Sequence, residues 1–129
     1  MGAEQLHDDS QLFLGMSYYD GKGVPQDYVK AAEWFRSAAD LGNVDAQYYI
    51  AVCYMNGEGV SKDTEEAVRR LMNAANQGHD SAQFDLGMCY LNGEGVEPDR
   101  DEALRWLASA AEQGNEEAEK VIHELEDSN

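Results

Sequence analysis

A chain of 129 residues with 43% hydrophobic content has the length for one domain and the apolar side chains to fill a core, which excludes disorder over most of it. Its 9 Lys and Arg against 26 Asp and Glu give a formal charge of -17, so a nucleic acid backbone or an anionic lipid surface is repelled over nearly the whole molecule. No stretch approaches the roughly 18 consecutive apolar residues of a membrane span, and the expected partner is therefore a protein or peptide, basic rather than acidic, with no nucleic acid and no membrane.

The first residues, Met1 to Ser10, are polar and acidic and lack the apolar centre of a signal peptide. Gly2 stands where myristoylation needs it, but Leu6 occupies the place of the required Ser or Thr, so no lipid anchor is expected. From about residue 8 the sequence copies itself. A shift of 36 residues aligns Tyr18, Tyr54 and Tyr90, then Gly21, Gly57 and Gly93, without a gap. The same shift aligns Val24, Val60 and Val96, then Asp27, Asp63 and Asp99, then the pairs Ala38-Ala39, Ala74-Ala75 and Ala110-Ala111. Such self-similarity marks a stacked array. The repeats are placed at about 8–43, 44–79 and 80–115, with a C-terminal capping helix over 116–127, all within one domain spanning 1–129.

Each copy reads as two helices. The first, Val44 to Asn56 in the second copy, ends at Gly57, which can take the left-handed conformation that closes a helix. A loop of about seven residues follows. Asp63 then stands where its carboxylate caps the next helix, and Glu66 three residues on completes a capping-box pattern that Asp99 and Glu102 repeat. The second helix runs to about Gln77, stops at Gly78, and a link of about two residues leads through His79 into the next unit. Ala31, Ala38, Ala39 and their counterparts are small enough for helices to approach closely, while Leu14, Ile50 and Leu86 fill the gap between helices. The loop valines Val24, Val60 and Val96 read as plugs under the helix ends, and Trp34 and Trp106 as packing anchors on the second helices.

Placed at about 100° per residue, Ala46, Ile50, Ala51 and Tyr54 share one side of the first helix of copy two. Tyr48, Val52 and Met55 share nearly the opposite side. The equivalent residues are Leu12, Met16 and Tyr19 in copy one and Phe84, Met88 and Leu91 in copy three, and all are apolar or aromatic. A surface helix is polar opposite its core, so a second apolar stripe repeated in every copy implies that something covers it. Either a guest does so, or tight curvature or a folded-back N-terminal segment makes the stripe ordinary core. Asp20, Asn56 and Asn92 stand at its rim, where amides can bond a peptide backbone or simply end a helix. In the final helix Lys120, Glu124 and Asp127 take the stripe positions while Ala118, Val121, Ile122 and Leu125 keep one apolar side, the pattern of a cap.

Chemistry-bearing patterns are few. His7, His79 and His123 are scattered, and no metal-ligand spacing occurs, so neither a metal nor another cofactor is expected. Glu58 and Glu94, in matching loops, read as solvated charges. Gly21-Lys22-Gly23 and Gly57-Glu58-Gly59 follow helices rather than strands, and acids stand where a phosphate would bind, which argues against phosphate loops. Cys53 and Cys89 hold the same position in successive repeats. Stacked helices lie about 8–10 Å apart, beyond the roughly 4.4–6.8 Å that a disulfide needs, so they read as free thiols. That favours a reducing, cytoplasmic setting, with a periplasmic or secreted one left open if a targeting segment is removed.

The template Ala82, Leu86, Gly87, Tyr90, Gly93, Gly95, Val96, Asp99, Ala103, Trp106, Ala110, Ala111 and Gly114 resembles the sel-1-like repeat, a relative of the tetratricopeptide repeat. Copy one departs at Ser10, and copy two carries Ile50, Ala51 and Arg70 where the pattern has Leu, Gly and Trp. The resemblance implies an all-α, right-handed α/α solenoid and an adaptor or scaffold role. It also implies that Leu12, Met16, Tyr19, Tyr48, Val52, Met55, Phe84, Met88 and Leu91, with Asn56 and Asn92, line a concave binding groove. No catalytic residue is expected. Cysteine-rich members of the family are connected with β-lactam binding or hydrolysis, but their paired cysteines are missing here. Homodimerisation through the groove is the third reading, the chain being otherwise a monomer.

Overall fold

The computed structural model describes the backbone of residues 3–127 and the side chains of residues 8–127. Met1, Gly2 and the side chains of Leu6 and His7, on which part of the lipid and metal readings rest, lie outside the described residues. Seven helices and no strand are found among the described residues: α1 (Ala3–Asp20), α2 (Tyr28–Asp40), α3 (Val44–Asn56), α4 (Thr64–Asn76), α5 (Asp80–Asn92), α6 (Arg100–Glu112) and α7 (Glu116–Asp127). The principal contacts join successive helices, as in an array that grows along one axis. The chain is an all-α solenoid of three hairpins and a final helix.

The helix ends follow from identifiable residues. Gly57 and Gly93 close α3 and α5 with φ of 70°, the left-handed geometry that glycine adopts without steric penalty. Asp27, Asp63 and Asp99 each accept a hydrogen bond from the backbone N–H three residues on, capping α2, α4 and α6. The capping box expected around Asp63 and Asp99 is only half formed. The Asp63 and Asp99 amides donate instead to the carbonyls of Tyr54 and Tyr90 at 2.9 Å, tying each loop to the helix before it. Glu66 is thereby released to pair with Arg69 and Arg70, and Glu102 lies 3.7 Å from Arg105. The short links hold three residues rather than two, 41–43, 77–79 and 113–115. Their last residues Asn43, His79 and Asn115 cap the following helices.

The alanines do what their size permits. Ala31, Ala38, Ala67, Ala74, Ala103 and Ala110 are fully buried between helices. Pairing of small with large fixes the hairpins: a Cβ on Gly15 would meet the Phe35 ring at 2.6 Å, and one on Gly87 would meet Leu107 at 2.9 Å. In copy two, Ala51 and Leu71 are buried within one cluster. Ile50 and Leu86 are fully buried, but Leu14 at the same register is 37% exposed. The expected filling role fails there for a physical reason: α2 covers Ile50 and α4 covers Leu86, while among the described residues no second helix precedes α1. The three loop valines are half-buried, and Val60 and Val96 pack against the core. α7 buries Ala118 and rests Val121, Ile122 and Leu125 on Leu107 and Ala110, leaving Lys120, Glu124 and Asp127 exposed.

Candidate interaction groove

The nine stripe residues are all half-buried, neither sealed in the core nor fully in solvent. They do not form one uniform surface. On α1, Leu12, Met16 and Tyr19 lean on the cluster of Phe35 and Ile50. The Tyr19 ring lies 5.1 Å from Tyr28 and 6.0 Å from Phe35, and its hydroxyl donates to Glu58 Oε1 at 2.7 Å. Glu58 is therefore no solvated loop charge. It is half-buried, joins the loop of copy two to α1, and raises the Tyr19 pKa together with the larger effect of burial.

Between α3 and α5 the stripe opens into a cavity of about 310 Å³. Tyr48, Val52, Met55 and Asn56 line it from α3, Met88 and Asn92 from α5, and Leu71 of α4 closes its floor. Phe84 and Leu91 lie outside this lining, and Phe84 packs with Met88 toward α6 and α7. The two asparagines are exposed; the Asn56 amide reaches Glu58 at 3.4 Å.

Five lining residues were not singled out by sequence as groove residues: Ala51, Leu71, Asp85, Cys89 and Glu94. A signal for Asp85 was present, since the register that carries Phe13 and Tyr49 in the first two copies carries this lone acid in the third. Asp85 is half-buried, with the Tyr48 hydroxyl close enough to favour its charged form. Burial pushes its carboxyl above the ordinary value, Glu117 adds to that, and the Tyr48 hydroxyl and His79 oppose it. Burial, then Asp85, raises the Tyr48 phenol in turn. The Cys89 thiol, beside the same cavity, is pushed up to about 12 by burial and stays protonated, as does Cys53; both are free.

Tyr48 is held in place from outside the cavity. His79 stacks on its ring at 4.7 Å, and Tyr49 meets it edge-on at 5.5 Å. His79 is itself fixed at both nitrogens: Nδ1 accepts from the Ala82 amide at 3.1 Å, and Nε2 lies 3.2 Å from Asp45. Among the described residues no group of three His, Cys, Asp or Glu is placed to hold a metal ion, and no helix is long and apolar enough to cross a membrane.

The Sel1 repeat family model matches residues 8–43, 44–79 and 80–115. Among solved structures, a protective antigen of uropathogenic Escherichia coli strains displaying an SLR fold is similar at 42% identity and a TM-score of 0.86, over 90% of this chain and 25% of that one. A Sel1 repeat protein from Oxalobacter formigenes is similar at 34% identity and a TM-score of 0.84, over 88% of this chain and 47% of that one. Helicobacter pylori cysteine rich protein B shares the fold at 17% identity and a TM-score of 0.72, over 93% of this chain and 97% of that one. The chain thus spans a quarter of the first relative and about half of the second. No curated protein matches it.

Proposed function

We propose, for a chain that belongs to the Sel1 repeat family, that the groove between α3 and α5 receives a segment of a partner protein. Members of the family are helical repeat scaffolds for protein interaction, generally without enzymatic activity. The observation that carries the reading is the open cavity of about 310 Å³, walled by half-buried Tyr48, Val52, Met55 and Met88 and rimmed by Asn56 and Asn92. Water in such a place is poorly held, and an apolar guest displaces it with gain. The asparagine amides offer both a donor and an acceptor to the backbone of an extended peptide. No serine lines the cavity, and burial keeps the Cys89 thiol beside it protonated, so an acyl-transfer reading has no activated nucleophile to start from.

The substitution that tests this must fill the groove without touching the core. Tyr48 and Met88 are poor choices, because both pack on core clusters. Val52 is half-buried and faces the cavity. A library of displayed nine-residue peptides is selected on the intact chain, and binders are measured by fluorescence anisotropy. Val52→Trp is expected to weaken them about tenfold or more, with the melting temperature unchanged. Binders indifferent to Val52→Trp, or a library that yields none, would overturn the proposal.

A further inference from the structure

We infer that the cavity is a specificity pocket for the side chain of a lysine or arginine on the partner segment, with Val52, Met55 and Met88 against its methylene stem and Asp85 against its cationic end. The inference rests on the interaction reading above and names the guest. Two of the lining residues, Asp85 and Glu94, are acidic, and none is Lys or Arg. Tyr48 brings a hydroxyl near Asp85 but no charge. His79 lies near enough to favour the Asp85 charge, but both of its ring nitrogens are engaged, by Asp45 and by the Ala82 amide. Arg70 is committed to Glu66 and Gln47. A half-buried carboxylate with a neutral hydroxyl beside it and no Lys or Arg paired to it is half of an ion pair.

The fold does not demand an acid at this register. Phe13 and Tyr49 occupy it in the other copies, so packing accepts an aromatic ring there. An acidic guest is repelled by both carboxylates, and a wholly apolar one would strip the remaining water from Asp85 without replacing it. A long side chain with an apolar stem and a charged tip satisfies both requirements. The volume fits, since about 310 Å³ lies near the lower end of the roughly 300–1,000 Å³ of ligand sites and suits one extended side chain rather than a cofactor. The charge of -17 draws such a partner in before contact.

General attraction to an acidic protein and recognition in the pocket are separated by charge-matched variants. Asp85→Asn removes the charge and keeps the shape. Glu33→Gln removes the same charge from an exposed site on α2. Peptides selected on the intact chain are expected to share one Lys or Arg position. Asp85→Asn should weaken them about tenfold to a hundredfold, and Glu33→Gln less than about twofold. Replacing the shared basic residue of the peptide with norleucine should cost as much as Asp85→Asn, and the two changes together little more. Equal effects of the two protein variants would overturn the inference. If peptides lose affinity with Val52→Trp yet share no basic position, the guest is wrong while the groove stands. If no peptide depends on Val52, both readings fall.

Discussion

Asp85 occupies a position that its own fold would rather fill with something neutral, and that has a measurable consequence. Burial, above all, holds its carboxyl above the ordinary range of an aspartate. A carboxyl whose folded pKa exceeds its unfolded one binds its proton more tightly when folded. The stability it contributes is fully present below about 3.8 and is lost as pH rises through the folded value. The groups facing it are Tyr48 on α3, His79 at the start of α5 and Glu117 on α7. Asp85→Asn is therefore expected to stabilise the chain at pH 7 by about 0.5–2 kcal/mol, and by less at pH 4. Urea denaturation at the two pH values checks this, and a variant less stable than the parent at pH 7 would contradict it. One substitution then weakens the guest and strengthens the host, a separation that a structural role for Asp85 would not produce. A second polar residue escaped the sequence reading altogether. Gln11, Gln47 and Gln83 share one register. The Gln47 and Gln83 amides donate to the carbonyls of Ala39 and Ala75 at 3.2 and 3.1 Å, where the preceding helices end. Gln83 also accepts from Gln113 at 2.9 Å and is buried. A glutamine one step from a small residue of the template reads as solvent-facing, because helical periodicity carries no information about a carbonyl at the end of a neighbouring helix.

The helices themselves were legible because punctuation and period agreed: glycines at the first-helix ends, aspartates at the second-helix starts, and alanines where backbones approach. What sequence could not supply was which neighbour each element meets. Gly23, Gly59 and Gly95 are one letter of the template, and all have φ between 75° and 77°. Their surroundings differ. A Cβ on Gly59 would sit 2.0 Å from the Tyr28 carbonyl oxygen, and one on Gly95 2.4 Å from that of Thr64. Nothing lies within 4 Å of the corresponding point at Gly23. The loop of each later copy is thus wedged under the first turn of the second helix of the copy before, and Gly23, like Leu14, lacks that neighbour among the described residues. Gly23→Ala should cost only the left-handed backbone strain, about 1–2 kcal/mol. Gly95→Ala should cost that plus the displacement of a backbone carbonyl, about 1–3 kcal/mol more. Denaturant midpoints of the two variants measure the difference, and equal losses would show that the wedge does not hold the stack together.

At the scale of the whole molecule the fold class followed from the repeat alone, and the groove was half legible: periodicity found its apolar wall on α3 and α5, but spread it evenly over three copies. The structure concentrates the opening between copies two and three, because α1 folds its stripe onto Phe35 and ties Tyr19 to Glu58. Charge is distributed just as unevenly. Acids occupy the first turns of α3, α4, α5, α6 and α7, where they complement the helix dipole, and no helix carries a base in its last turn. The ion pairs of Arg69 and Arg70 with Glu66, and of Arg105 with Glu102, lie within single helices, and those of Arg69 and Arg105 are exposed on the basic side. Such pairs contribute little. Mutual repulsion among 26 acids against 9 bases is therefore the larger electrostatic effect on the fold, and raising salt should stabilise rather than weaken it. Screening shortens to about 3 Å at 1 M. If it removes about 1 kcal/mol of repulsion, the melting temperature rises by about 3–6 °C for a chain of this size. Affinity for a basic guest should move the other way, since the same ions screen the attraction that brings it in. Circular dichroism melts and peptide titrations, run together at 20 mM and 500 mM NaCl as two points on one axis, make the opposition visible. A melting temperature that falls with salt would mean that the ion pairs, and not the repulsion, govern the stack.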